Sequence, residues 1–444
     1  MSPRPDPTTS AVAPAGDPIS AQAAQAADRA SSRNHPSPLD IATSVSDPSA
    51  SRRVGPGSVI GMLGGGQLGR MFAIAAAQLG YRVVVLGDSP DCPAATVAEA
   101  TLAGSLTDPR LLDELAARCD VVTLEFENIP VASVERLAGS VNVFPAAEVL
   151  RVAQDRGIEK QTLSRAGLPV TPFQLVHDRA DVEQAVQRLG LPLVLKTTRD
   201  GYDGKGQWKI GSAEELSAWL AGGDTAASDP FERPLIAEAW VEHQCEVSVI
   251  IARSVVTGGD PTDTGAGQRV ACYPVFENRH RNHILDVTFC PAAIDPETAR
   301  RATEMATTAA AALGLIGLIC IEFFVDSRGE LMINEIAPRP HNSGHLTIEA
   351  CQTSQFEQQL RAVCGLPLGS TELTVPAAAM VNLMGELWSD GEPDWDAILA
   401  LPATHLHLYD KRAAKPGRKM GHITLTGDPA ELPARIERIR QILS

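Results

Sequence analysis

The chain has 444 residues, 44% hydrophobic and 21% charged, which is a globular composition on a length that predicts two or three domains. Its net charge of −16 argues against a nucleic-acid binder that works through bulk charge, and no apolar run reaches the roughly 18 residues needed to cross a bilayer. The eight cysteines are scattered with no C-x-x-C pair, so neither a disulfide framework nor a zinc site is expected, and the reducing cytoplasm is the natural compartment.

Residues 1–54 have no Phe, Trp or Tyr, and their five aspartates (6, 17, 28, 40, 47) cancel five arginines (4, 29, 33, 52, 53). Such a segment has too little apolar surface to offset its ordering entropy and reads as a disordered tail. It lacks the apolar stretch of a secretory signal. Order begins with a strand at 58–63, a glycine turn, a helix at 67–79 and a strand at 82–87, a βαβ unit. A helix near 108–118 leads to a strand at Val121–Phe126, and another is expected at Val141–Phe144. Alternating strands and helices predict a parallel, doubly wound, Rossmann-like domain over 55–155.

A second domain is expected over 156–365. Helices at 157–166 and 179–189 precede a strand ending at Lys196, a glycine-rich loop, and strands at 234–240 and 245–253. Residues 255–268 read as a flexible hairpin tip. Strands near 269–276 and 284–290, a long helix at 296–312 and a strand pair at 317–336 follow. From 366 to 444 the pattern is a small strand-rich domain closed by a helix near 429–442.

Gly64, Gly66 and Gly69 spell G-x-G-x-x-G between a strand and a helix, and Asp88 closes the next strand. That is the dinucleotide-binding fingerprint, so an NAD-dependent oxidoreductase stays open. The same glycines would let the backbone approach any anion at a helix N-terminus, or simply make a tight turn.

The segment from Gly317 to Ile336 holds two apolar strands joined at Asp326-Ser327-Arg328-Gly329. Pairing Val325 with Glu330 puts Glu322 opposite Ile333, with Glu335 its diagonal neighbour on the same face. Two acids facing each other on an apolar hairpin repel, and a bound Mg²⁺ would resolve this; the alternative is that both point to solvent at a sheet edge. Lys196 ends an apolar strand and precedes Gly201-Tyr202-Asp203-Gly204-Lys205-Gly206-Gln207, a loop whose amides can face phosphate oxygens. Backbone groups near 238–241 could read adenine, and Glu246 could accept from ribose hydroxyls. Lys411, Arg412, Lys415, Arg418 and Lys419 form a basic turn that suits a sugar phosphate or is merely solvated.

Together the segments GGGQLGRM (64–71), TLEFENIP (123–130), GYDGKGQW (201–208), NEIAPRPHNSGH (334–345) and YDKRAAKPGRKMGH (409–422) resemble the N5-carboxyaminoimidazole ribonucleotide synthetases of the ATP-grasp superfamily. The resemblance runs from Val59 to Ile442. It implies an α/β ATP-grasp fold with an N-terminal Rossmann-like pre-ATP-grasp domain and a small C-terminal domain. It also implies ATP as cosubstrate, Mg²⁺ (with Mn²⁺ as the alternative ion), bicarbonate and 5-aminoimidazole ribonucleotide as substrates, and a homodimer.

By that resemblance the ATP contacts are Arg156, Lys196, the loop 201–207, Glu238, Ala239, Trp240, Val241, Glu246, His280, Asn334 and Glu335, with Glu322 and Glu335 on the metal. The ribonucleotide would touch Gly66, Gln67, Leu68, Glu125, Asn342, Ser343, Lys411, Arg418 and Lys419. The catalytic set would be Glu125, Tyr202, Lys205 and Arg339. Two departures from the family pattern stand out, Asp200 and His283, each where a glycine is usual. Another ATP-grasp purine enzyme, such as a formate-dependent transformylase, and a non-catalytic nucleotide-binding regulator are the remaining alternatives.

Overall fold

In the computed structural model of the chain, residues 53–199, 201, 206–221, 231–255 and 268–443 are described. The first sheet is formed by β1 (Val59–Leu63), β2 (Arg82–Gly87), β3 (Ala100–Ala103) and β4 (Val121–Leu124), all parallel, in the order β3-β2-β1-β4. β1, β2 and β4 are almost wholly buried, as near-continuous apolar strands covered on both faces must be. The strand expected at Val141–Phe144 is instead a single bridge from Val143 to Val122. Pro145 follows directly and has no N–H to continue a ladder.

This layer does not close its core with its own residues. Phe356, Leu360 and Val363 of the helix Gln355–Val363 are buried with Met71 and Phe72 of the helix Gln67–Gln78, together with Tyr409 from the far end of the chain. Of the expected tail, residues 1–52 lie outside the described residues. Val54 is anchored: its N–H donates to the Cys364 carbonyl at 3.0 Å and its carbonyl accepts from the Tyr81 hydroxyl at 2.8 Å.

A second, antiparallel sheet of β5 (Phe173–Val176), β6 (Leu193–Thr197), β7 (Gln207–Ile210) and β8 (Leu235–Ala239) runs in the order β5-β8-β6-β7. The third sheet contains β9 (Cys245–Val255), β10 (Gln268–Cys272), β11 (Phe276–Arg281), β12 (Ile284–Cys290), β13 (Gly317–Val325), β14 (Leu331–Ala337), β15 (Ala377–Met384), β16 (Thr404–Leu408) and β17 (Lys419–Gly427). Its order is β14-β13-β9-β11-β12-β15-β17-β16, with β10 against β9. The C-terminal strands thus continue the central sheet through the β12–β15 ladder. The predicted hairpin tip at 255–268 lies, from 256 to 267, outside the described residues.

The helix Pro296–Ala312 presents Ala302, Ala306, Ala309 and Ala310 to the core under this sheet. Asp295 caps it by accepting from the Glu297 and Thr298 amides, with proline in the first turn. β11 and β12 are joined through Asn282 and His283, both at positive φ (51° and 64°). A two-residue hairpin of that kind favours glycine, which is why a histidine at 283 is unusual. Because Phe356 ties two layers together and is 1% exposed, Phe356→Ala should lower the unfolding free energy by about 3–5 kcal/mol, measured by urea titration.

Candidate active site

The two carboxylates on β13 and β14 meet more closely than the simple hairpin register predicts. Val325 pairs with Leu331, not Glu330, and Phe323 with Ile333; an extra residue, Asn334, then shifts the ladder so that Glu322 stands directly opposite Glu335. The correction is a β-bulge, the usual device for re-aiming a side chain beside a site. Glu322 is 2.8 Å from His341 Nε2, both side chains only 12% exposed. Glu335 keeps 46% of its side chain open to the cleft and has Arg156 Nη2 at 3.7 Å. Burial works against ionising Glu322, but the His341 imidazole, with His280 and Arg339 behind it, holds its carboxyl down at about 2. Glu335 is pushed up by burial and then by the charge on Glu322. The repulsion is therefore only partly relieved by the protein, and two opposed hard-oxygen donors fit a divalent cation of the Mg²⁺ class. Donor atoms of Glu246 and His280 lie within 4.8 Å of those of Glu322 and of one another.

Lys196 does not snorkel to solvent. It stands one residue before the end of β6, with its Nζ 2.8 Å from Glu238 Oε2 on the neighbouring strand β8, at 16% exposure. Glu238 also faces Lys160, whose Nζ lies 3.5 Å from Oε1, so one buried carboxylate serves two cations. Arg156 opens the helix Arg156–Arg165 and donates to the Gly201 carbonyl at 3.1 Å, holding the start of the glycine loop. At its other end Gly206 adopts φ +69° and accepts from the Thr197 amide at 2.8 Å. Tyr202, Asp203, Gly204 and Lys205 lie outside the described residues. Beyond β8, Trp240 is 41% exposed with the Lys209 ammonium 3.6 Å above its ring. Glu246 holds His280 at 3.2 Å.

The glycine turn has a resident anion. The Glu125 carboxylate accepts from the Gly66 amide and, at 2.8 Å, from the Gly69 amide at the N-terminus of the helix Gln67–Gln78. A Cβ at Gly64 would lie 2.4 Å from Glu125 Cγ, and one at Gly66 2.7 Å from Oε1. The glycines therefore admit an internal carboxylate where a pyrophosphate would sit, which removes the dinucleotide reading. Burial raises the Glu125 pKa against the pull of those amides and of Lys411.

A cleft of about 840 Å³ joins these parts. Its wall includes Arg156, Lys196, Gly201, Gln207, Glu238, Ala239, Trp240, Val241, Glu246, His280, Asn334 and Glu335 of the expected nucleotide contacts, with Glu322. Gln67, Leu68, Arg339, Asn342 and Lys419, expected around the ribonucleotide, also line it. Ser343 does not: it is fully buried, bonded to Ser248 and to His341 Nδ1, and so orients His341. Lys411 Nζ donates to the Lys419 carbonyl at 2.6 Å, and Arg418 Nη1 to the Ala413 carbonyl at 2.8 Å, both around a turn in which Gly417 has φ +74°. Arg412 pairs instead with Asp91 at 2.8 Å.

Among the residues the sequence reading did not single out are two of the cleft wall, Glu127 and His341, and one buried behind it, Lys160. Glu127 forms a paired-oxygen contact with the Arg339 guanidinium, His341 holds Glu322, and Lys160 holds Glu238. Glu127 and His341 fall inside motifs already singled out, whereas Lys160 carries no local signal.

Models of three families match in succession: a ribonucleotide synthetase preATP-grasp domain over 58–154, an ATP-grasp domain over 161–356 and a phosphoribosylaminoimidazole carboxylase C-terminal domain over 378–434. The N5-carboxyaminoimidazole ribonucleotide synthase of Bacillus subtilis is 40% identical over 376 residues, 85% of this chain and 93% of that one. Its Brucella melitensis counterpart is 44% identical over 369 residues, 83% and 96%. A bifunctional purine synthesis protein of Dictyostelium discoideum is 42% identical, but the chain spans only 37% of its length. The solved N5-carboxyaminoimidazole synthase of Aspergillus clavatus in complex with ADP and 5-aminoimidazole ribonucleotide aligns at TM-score 0.76 and 32% identity, covering 87% of this chain and 98% of that one. The enzyme from Staphylococcus aureus complexed with ADP aligns at 0.78 and 35%, covering 88% and 99%. With its three matched domains in this order and a cleft that joins them, the chain belongs to the N5-carboxyaminoimidazole ribonucleotide synthase family of ATP-grasp enzymes.

Proposed function

We propose that the chain is an ATP-dependent carbon–nitrogen ligase of purine biosynthesis that carboxylates the amine of 5-aminoimidazole ribonucleotide with bicarbonate, releasing ADP and phosphate. The observation that carries this reading is the Glu322–Glu335 pair in one cleft with Lys196 and Arg339, in a chain of this family. A bicarbonate oxygen attacks the γ-phosphorus of ATP as the bond to ADP breaks, giving carboxyphosphate. The amine nitrogen then bonds the carboxyl carbon of carboxyphosphate, or of CO₂ released from it as the bond to phosphate breaks, and the amine proton leaves with the phosphate.

The protein's part is positioning and charge neutralisation. Lys196 and the 201–207 loop address the phosphates, Trp240 and Val241 the base, and Glu246 the ribose. Glu322 and Glu335 would hold Mg²⁺, or Mn²⁺ in its place, which when bound offsets phosphate charge. Arg339, fixed by Glu127, supplies a cation on the substrate side, with Asn342 beside it. The catalytic roles of Tyr202 and Lys205, and closure of their loop to exclude water, belong to the same reading. A cytoplasmic homodimer completes the proposal. No described helix is long and apolar enough to cross a membrane, and all eight cysteines are free thiols. Phosphate release measured with bicarbonate, with and without 5-aminoimidazole ribonucleotide, tests the function directly: no stimulation by the ribonucleotide would overturn it.

Glu322→Gln or Glu335→Gln should reduce ATP turnover by at least about a hundredfold, since the metal contribution is several kcal/mol. The melting temperature should hold or rise in Glu335→Gln, where a like-charge pair is relieved, and fall in Glu322→Gln, which gives up the contact with His341 that holds its carboxyl down. Normal turnover at ordinary magnesium in either variant would sink the metal assignment.

If Lys411 and Arg418 grip the ribonucleotide phosphate, Lys411→Ala and Arg418→Ala each remove a contact worth roughly 1.5–3 kcal/mol, or ten- to a hundredfold in ribonucleotide binding, and leave ATP affinity unchanged. Arg412→Ala should do less, since that side chain is engaged with Asp91. Burial, helped by the Arg418 charge, brings the Lys411 pKa down to about 8. The ammonium is charged below that pH, so ribonucleotide affinity should fall as pH rises through about 8. Lys411→Arg should flatten the profile in a calorimetric titration series.

A further inference from the structure

β14 is the outermost strand of the central sheet, and an edge strand leaves backbone groups to be satisfied from outside. Here the backbone at Pro169 and Thr171 meets those of Ile333, and two adjacent side chains of the helix Arg156–Arg165 meet the next ones along. Lys160 Nζ donates to the Asn334 carbonyl at 2.9 Å, and Glu159 accepts from the Ile336 amide at 3.4 Å. Asn334 is the bulge residue, and Glu335 lies between the two contacts. Lys160 and Glu159 are buried, at 1% and 2% exposure, and Lys160 is not part of the cleft wall. A buried ammonium is costly unless fully engaged, and this one has two partners, the bulge carbonyl and Glu238.

We propose that Lys160 is a positioning residue of the cation site: its bond to the Asn334 carbonyl holds the bulge that sets Glu335 across from Glu322. Its second contact, with Glu238, links that bulge to the strand bearing the partner of Lys196 and so places the carboxylate pair relative to the phosphate end of the cleft. Removing a group that orients a metal ligand commonly weakens metal binding by about 10–100-fold.

The inference rests on the reading of Glu322 and Glu335 as cation ligands, and its test separates the two. Binding of Mn²⁺ to the full chain in the presence of ADP is followed by electron paramagnetic resonance for the parent, Lys160→Met and Lys160→Gln. Lys160→Met keeps the stem and loses the donor; its Mn²⁺ dissociation constant should rise roughly tenfold or more, while binding of ADP alone, by calorimetry, stays within about threefold. Lys160→Gln, which keeps a shorter donor, should fall between the two. Near-UV circular dichroism establishes that each variant is folded, and if Lys160→Met does not fold, Lys160→Gln decides. Mn²⁺ affinity equal to the parent's in the folded variant overturns the role of Lys160. Failure of the parent itself to bind Mn²⁺, or binding that persists in Glu335→Gln, overturns the cation-site reading instead.

Discussion

Glu322 and Glu335 stand directly across a hairpin ladder from each other, and much of the surrounding structure is arranged so that two carboxylates can be held there. Left alone, such a pair would separate or take up a proton. The bulge at Asn334 brings them to the same face, His341 Nε2 contacts one, and Arg156 lies near the other. The neutralisation is deliberately incomplete on the side of Glu335, whose carboxyl remains raised. On the proposed reading, that residual demand for positive charge is met by a cation that arrives with its own phosphate ligands.

The same logic recurs along the cleft. Two cations of the cleft are each backed by a carboxylate that fixes its direction: Glu238 behind Lys196 and Glu127 behind Arg339. Pre-set side chains of this kind lose little freedom when a ligand binds and need little rearrangement as charge moves, which is where an enzyme that relies on positioning gains its rate. A chain with net charge −16 can in this way hold directed cations along one cleft.

Glu125 shows how the same local geometry can serve opposite ends. The G-x-G-x-x-G turn and the helix behind it are built as in a dinucleotide site, yet the amides at 66 and 69 are spent on a carboxylate from the end of β4. The glycines are required because a side chain at 64 or 66 would strike that carboxylate. The motif describes an anion at a helix N-terminus and is silent on whose anion it is.

Much of this was legible in the sequence, because it is carried by local periodicity and by contiguous segments. The parallel first sheet, the paired strands bearing Glu322 and Glu335, Lys196 at the end of its strand and the basic turn near 411–419 all follow from patterns a few residues long. The register of β13 against β14 did not follow, since one inserted residue at Asn334 changes which side chains oppose and leaves no trace in the hydrophobic pattern. Nor did the partners of the functional groups: Lys160 lies 78 positions before Glu238 and 174 before Asn334, and Glu125 is 56 residues from Gly69. The sequence by itself determined which elements form and which chemical groups they carry. Only the tertiary structure decided which carboxylate faces which cation, because burial and long-range pairing depend on where distant elements pack.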